Sequence, residues 1–241
     1  MNAMEQCPVC GKRGIFKQVC YDPTAVFYEC PVCGRYEYSM ENNAYEELDY
    51  NELAPFLFYE GFRNQQGRVE HRYYSTKSRE WCDTYTVEFR NDNNIAEMPV
   101  HMDQKIISLW FPKSFSQKID MILIKLNELT EFVGQEIKLD IPSLLSCMFV
   151  RRFKSDNRET VEDKELVKQA LYMTSYLFEI GYVKGINCIN GDVSRADSYY
   201  GEISITPKGY DRIDQLQQRD NDGKDVLVAM RFGSETLKLR E

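Results

Sequence analysis

Between Phe115 and Val133 the apolar side chains fall at Phe115, Ile119, Ile122, Leu126, Leu129 and Val133, in alternating steps of four and three residues. That spacing traces one face of an α-helix. Ser114 stands before it as the N-cap, Gln117 completes a capping box, and Gly134 marks its stop. Met121, Leu123 and Ile124 widen the stripe, so this helix is covered on more than one side, by a core or by a second copy of the chain. Earlier, Leu48, Leu53, Phe56 and Leu57 share one side of a helix that ends at Gly61; Pro55 is tolerated only near a first turn, which places the start near Asn51. Pro142 occupies a first-turn position ahead of Leu144, Leu145, Met148 and Phe149. A third helix is predicted from Thr160, its cap, with Asp163 reaching back, through Val167, Ala170, Leu171, Thr174 and Phe178 to Gly181. Thr206-Pro207 opens a last one, with Tyr210, Ile213 and Leu216 facing inward.

The strand signals are shorter. Val19, Tyr21, Val26, Phe27 and Tyr28 suit the strands of a small ribbon, and residues 84–89 alternate as Thr-Tyr-Thr-Val-Glu-Phe ahead of an Asn-Asp-Asn-Asn turn at 91–94. A short strand over Glu136 to Leu139 precedes the Pro142 helix. Residues 182–186 and 200–205 read as two strands around the polar loop 190–197. The order helix, strand, helix, helix, strand, wing, strand, helix is that of a winged helix. The chain is therefore read as α+β, with 1–40 an N-terminal zinc ribbon, 41–105 a helix plus a polar β-like segment, and 106–218 a mostly helical, winged-helix domain. Residues 219–225 read as a linker, and 226–241 as the first strand, Val226 to Phe232, of a further domain that the chain barely enters.

With 241 residues, 43% of them hydrophobic, two or three small units are expected. No apolar run reaches 18 residues and the N-terminus lacks a secretory pattern, which excludes a membrane-spanning or recognisably secreted reading. A net charge of −8 supplies no general basic footprint for nucleic acid. Any such role falls to a local patch, and the one candidate is Arg151, Arg152, Lys154 and Arg158.

Cysteine changes the picture most. Cys7-Pro8-Val9-Cys10-Gly11 returns as Cys30-Pro31-Val32-Cys33-Gly34. Each Cys-x-x-Cys brings two sulfurs onto one turn, and the glycine behind it allows positive φ. A single pair could be redox-active; two copies with the same glycine predict a four-cysteine zinc site with ligands Cys7, Cys10, Cys30 and Cys33. Four thiolates fill a tetrahedral shell, so Zn2+ would be structural, and forty residues could hardly fold without it. Cys20 is expected to be a filler, and Cys82, Cys147 and Cys188 show no disulfide framework, in keeping with a reducing cytoplasm.

Candidate catalysis is thin. His71 and His101 stand apart in sequence from any Ser or Cys with a third partner, and Trp81 and Tyr85 are read as core before they are read as a base-stacking pair. The predicted third helix opens Glu159-Thr160-Val161-Glu162-Asp163-Lys164-Glu165, acids that suit a helix N-terminus and would also meet phosphates unfavourably in a major groove.

The paired Cys-Pro-Val-Cys-Gly ribbon, the Pro-Lys-Ser-Phe-Ser-Gln-Lys-Ile-Asp start at 112–120, Ile-Thr-Pro-Lys-Gly-Tyr at 205–210 and the Val-Ala-Met-Arg-Phe strand at 228–232 resemble a group of prokaryotic proteins. In these a zinc ribbon and winged helix precede a TIR-like or nucleoside-deoxyribosyltransferase-like domain. The resemblance implies an antiviral effector whose N-glycosidic chemistry on NAD or nucleotides lies beyond residue 241, with no catalytic residue to carry over. The expected function is a zinc-stabilised regulatory and assembly module with a protein partner or self-association. A winged-helix DNA-binding transcriptional regulator is the alternative, nucleic acid being the less favoured partner and a membrane none.

Overall fold

The computed structural model describes residues 5–19, 25–39, 47–63, 71–91, 98–154, 159–185 and 199–221. Cys20, Cys188, Arg158, most of the 91–94 turn, the 190–197 loop and the Val226 to Phe232 strand lie outside them. The chain is α+β, with eight strands and seven helices among the described residues.

The N-terminal sheet grows from the first Cys turn. Strands β1 (Phe16–Val19), β2 (Ala25–Cys30) and β3 (Gly34–Ser39) form an antiparallel meander, with Tyr28 opposite Tyr36 across β2 and β3. The meander does not stop at the ribbon. Strands β4 (Arg72–Ser75) and β5 (Met98–His101) add to its edge in parallel, giving the order β1-β2-β3-β4-β5. The segment expected to be a polar connection thus completes the ribbon's sheet.

Helix α2 (Arg79–Asn91) is the crossover between β4 and β5, and it replaces the strand expected over 84–89. The six-residue alternation was the misleading signal. Ser78 Oγ accepts the Trp81 N–H at 3.2 Å and so caps the helix, while Cys82, Tyr85 and Phe89 keep a three-and-four spacing that the alternation overlies. Trp81 and Tyr85 stack on each other at 4.8 Å, with the Lys77 ammonium 4.1 Å above the Trp81 ring.

Helix α1 (Tyr50–Glu60), capped by Asp49, starts beside the expected Asn51 and carries Pro55 in its second turn. Its residues from Leu53 to Phe58 are all buried, so it is the central rod of the core and not a one-sided surface helix. The short helix α3 (Gln104–Trp110), capped by Asp103, had no clear apolar period and escaped the sequence reading. Through Trp110 it brings the Phe56, Tyr59 and Phe149 rings together, at centroid distances of 5.4, 5.6 and 6.3 Å from the indole.

Helix α4 (Phe115–Glu128) has the expected capping box, with Ser114 Oγ accepting the Gln117 N–H and Gln117 Oε1 accepting that of Ser114. It ends at Glu128 and not at Gly134, which leaves Phe132 and Val133 exposed. Strand β6 (Ile137–Asp140) leads into α5 (Ile141–Cys147), with Pro142 in the first turn and Asp140 as cap; Met148 and Phe149 lie past its end, Phe149 at a φ of 54°. Helix α6 (Asp163–Glu179) begins three residues after the expected cap: Thr160 instead bridges to Phe153, and Glu162 takes the cap position with no side-chain hydrogen bond. Strands β7 (Val183–Lys184) and β8 (Tyr199–Ile205) complete an antiparallel sheet in the order β6-β8-β7. Helix α7 (Pro207–Asn221) starts under Thr206, whose Oγ1 accepts the Gly209 N–H at 3.1 Å, and runs through the first residues of the expected linker. Arg212 fastens it to α4 by a two-point bond to Asp120, at 2.9 and 2.7 Å.

One contiguous core runs from the Cys turns through α1 to α4, α5, α6 and β8. No helix among the described residues is long and apolar enough to cross a membrane.

Candidate metal centre

The two Cys-Pro-Val-Cys-Gly turns face each other. Gly11 and Gly34 sit at φ of 77° and 75°, the left-handed conformation expected behind each pair. At Gly34 the need is also steric: a Cβ there would lie 2.5 Å from the Phe62 carbonyl oxygen, the group that accepts the Arg35 N–H at 2.9 Å. Gly61 answers from the other side, where a Cβ would collide with the Cys33 carbonyl oxygen. The second turn is therefore pressed against the end of α1 with no room for a side chain between them.

This packing brings Cys7, Cys10, Cys30 and Cys33 together, with all four Sγ atoms within 4.8 Å of one another and every residue buried. Cys7 and Cys33 are 3.8 Å apart at sulfur, Cys10 and Cys30 3.5 Å. A disulfide needs about 2.05 Å, so these are separate thiols. A tetrahedron with metal–sulfur bonds of about 2.3 Å has edges of about 3.8 Å, which the observed separations match. The four residues fit a metal ion.

Burial and hydrogen bonding divide the four sulfurs, and hydrogen bonds to Cys10 and Cys33 hold Cys30 below the ordinary thiol range. Burial pushes Cys10 and Cys33 up, well above the ordinary thiol range. Burial acts the same way on Cys7, yet hydrogen bonds from Cys10, Cys30, Cys33 and Tyr36 outweigh it and hold Cys7 far below that range. Tyr36, itself fully buried, keeps its proton because burial raises it strongly and the Cys7 charge adds to the rise. Its hydroxyl therefore donates to Cys7 Sγ across 2.9 Å.

Two arginines flank the cluster. Arg152 is 7% exposed, with Nη1 2.5 Å from the Cys10 carbonyl oxygen and Nη2 2.8 Å from both the Pro142 carbonyl and Ser146 Oγ. Its position is fixed by Asn51 of α1, whose Oδ1 accepts the N–H groups of Arg152 and Phe153 at 2.8 and 3.0 Å. Arg63 donates to the Val32 carbonyl between the second pair of cysteines, and to the carbonyls of Leu57, Phe58 and Gly61 at the end of α1. Burial lowers the pKa of both guanidinium groups, and the cysteine sulfurs act in the opposite sense on each.

The expected nucleic-acid patch is not one surface. Arg152 belongs to the core, because its guanidinium is consumed by the first Cys turn and α5. Arg151 and Lys154 are exposed, and Lys154 approaches Glu159 at 4.0 Å. His101 joins Asp103 at 3.1 Å and the Lys77 carbonyl at 2.6 Å. Cys82 Sγ reaches that same carbonyl at 3.8 Å, and burial pushes its thiol up to about 12, the reverse of what activates a nucleophile.

Arg63, Tyr36 and Asn51 escaped the sequence reading. None sits in a motif, and the one available signal was the cysteine repeat itself, whose buried charge demands partners of opposite sign. No family model, curated protein or solved structure matches this chain.

Proposed function

We propose that this chain is a zinc-stabilised regulatory and assembly module, a zinc ribbon built onto a winged-helix unit. The closed four-cysteine cluster carries the reading. Four side-chain ligands complete a tetrahedral shell and leave no position for water or substrate, so the ion holds structure and performs no chemistry. The order α4-β6-α5-α6-β7-β8-α7, with its antiparallel β6-β8-β7 sheet, supports the winged-helix reading of the C-terminal half. The resemblance to prokaryotic ribbon and winged-helix proteins supports a TIR-like, NAD- or nucleotide-processing effector domain as what the module positions. Phe132, Val133 and Tyr172, each more than 60% exposed, support a protein partner or self-association.

The alternative, a DNA-binding regulator, would use α6 as the recognition helix. Glu162, Asp163 and Glu165 are exposed at its entrance, and among the described residues of the basic run Arg151 and Lys154 face solvent while Arg152 is buried. That balance favours the module.

The test joins two measurements on the purified chain. Elemental analysis is expected to find one zinc per chain, lost in Cys7→Ser; less than half an equivalent in the unmodified chain overturns the zinc reading. Anisotropy with duplex DNA at physiological salt is expected to show weak, nonspecific binding. Sub-micromolar, sequence-selective binding overturns the module in favour of the regulator.

A further inference from the structure

We propose that Arg63 and Arg152 are the counter-cations of the metal centre, one placed at each Cys turn. The inference rests on the reading of the cluster as a zinc site and deepens it.

The Arg152 guanidinium is taken out of water and that of Arg63 is half-buried, and among the described residues every side-chain hydrogen bond they make goes to a neutral acceptor. Arg152 binds the carbonyls of Cys10 and Pro142 and the Ser146 hydroxyl; Arg63 binds the carbonyls of Val32, Leu57, Phe58 and Gly61. Among the described residues neither forms an ion pair with a carboxylate. Neutral acceptors satisfy the N–H groups but not the charge, and an uncompensated buried cation is costly enough that proteins rarely retain one. The Nε atom of Arg152 is buried with no hydrogen-bond partner, so this side chain is not placed there to saturate its donors.

The anion that serves both arginines is the cysteine cluster. Arg152 grips the carbonyl of a ligand residue, Cys10, and Arg63 grips the carbonyl of Val32, which lies between the ligands Cys30 and Cys33. One cation thus stands at each Cys turn. Four thiolates and one divalent ion carry a charge of minus two, and two guanidinium groups return it to zero. The two arginines therefore balance the charge of the metal-loaded centre.

The experiment uses the full chain, loaded with Zn2+ or with Co2+ as an optical probe, and compares Gln and Lys at each position. Arg152→Gln and Arg63→Gln keep a hydrogen-bond donor but lose the charge; the Lys variants keep the charge. Each Gln variant is expected to weaken zinc about tenfold or more in competition with a chromophoric chelator, with Lys within about threefold of the parent. In the cobalt form the thiolate-to-metal charge-transfer band is expected to move to longer wavelength in the Gln variants and to return in the Lys variants, a change that lost packing alone does not produce. Parental affinity and band position in the Gln variants overturn the proposal, and so do Lys variants as weak as Gln. If Arg152→Gln does not fold, Arg63→Gln and Arg63→Lys decide the matter by the same two readouts. A parent chain that binds no metal fails the zinc reading itself, before either arginine is changed.

Discussion

Cys147 and Cys7 carry the same thiol into opposite surroundings. Cys147 closes α5 in full burial, where desolvation pushes its thiol up to about 12. Cys7 is also buried, but hydrogen bonds from Cys10, Cys30, Cys33 and Tyr36 outweigh burial and hold it below the ordinary thiol range. An unfolded thiol releases its proton near about 8.5. Folded Cys147 therefore binds more protons than unfolded Cys147 between that value and about 12. Its contribution to stability is complete below the lower limit and is lost as pH rises toward the upper one, by up to about 1.4 kcal/mol per pH unit. The expected result is that Cys147→Ala costs about 1 kcal/mol at pH 8 in urea unfolding and less at pH 10. Equal costs at both values would mean that the buried thiol does not keep its proton. At this scale the four-cysteine cluster was legible because the pattern repeats. Arg152 was misread because its acceptor at Cys10 lies 142 residues away, and nothing local separates a buried arginine from its exposed neighbour Arg151.

The helices whose start was read most closely carry a true cap beside their apolar period. Helix α4 combines the apolar step with Ser114 and Gln117, and α7 combines Thr206 with Pro207. In α2 the strongest local signal was a six-residue alternation, and the competing cap at Ser78 lies six residues upstream of it. The end of α4 was misplaced because Leu129 and Val133 continue the period in sequence, though in the fold Val133 is 79% exposed. Termination there is set by the turn needed to deliver β6 to β8, a pairing between Ile137 and Ile203 that no local window contains. Ser114→Ala removes the acceptor for the Gln117 N–H, a bond of 3.1 Å. It is expected to cost about 1 kcal/mol in urea unfolding with zinc content unchanged. A cost near zero would show that packing of Ile119, Ile122 and Leu126 holds the helix without its cap.

The molecule does not divide where its composition does. A ribbon, a connecting segment and a helical domain were the natural reading, yet β4 and β5 extend the ribbon's sheet and α1 packs under both halves. Lys12 reaches Asp140 at 2.8 Å, joining the first Cys turn to the start of α5, and Arg152 ties that same turn to α5 from beneath. Parallel strand pairing and side-chain contacts between distant residues are non-local, so no periodicity announces them. Their consequence is that the metal should report on the whole fold. Trp110 packs on Phe56 and Tyr59 of α1 and on Phe149, all outside the ribbon. With Trp81 replaced by Phe, Trp110 is the one indole in the chain. On chelation, metal release and the change in Trp110 fluorescence are expected to follow a single time course, because losing the centre leaves the buried Arg152 guanidinium, which ties the first Cys turn to α5, without its counter-charge. Zinc lost with the Trp110 signal intact would show instead that the ribbon melts by itself and that α1 holds the helical half without it.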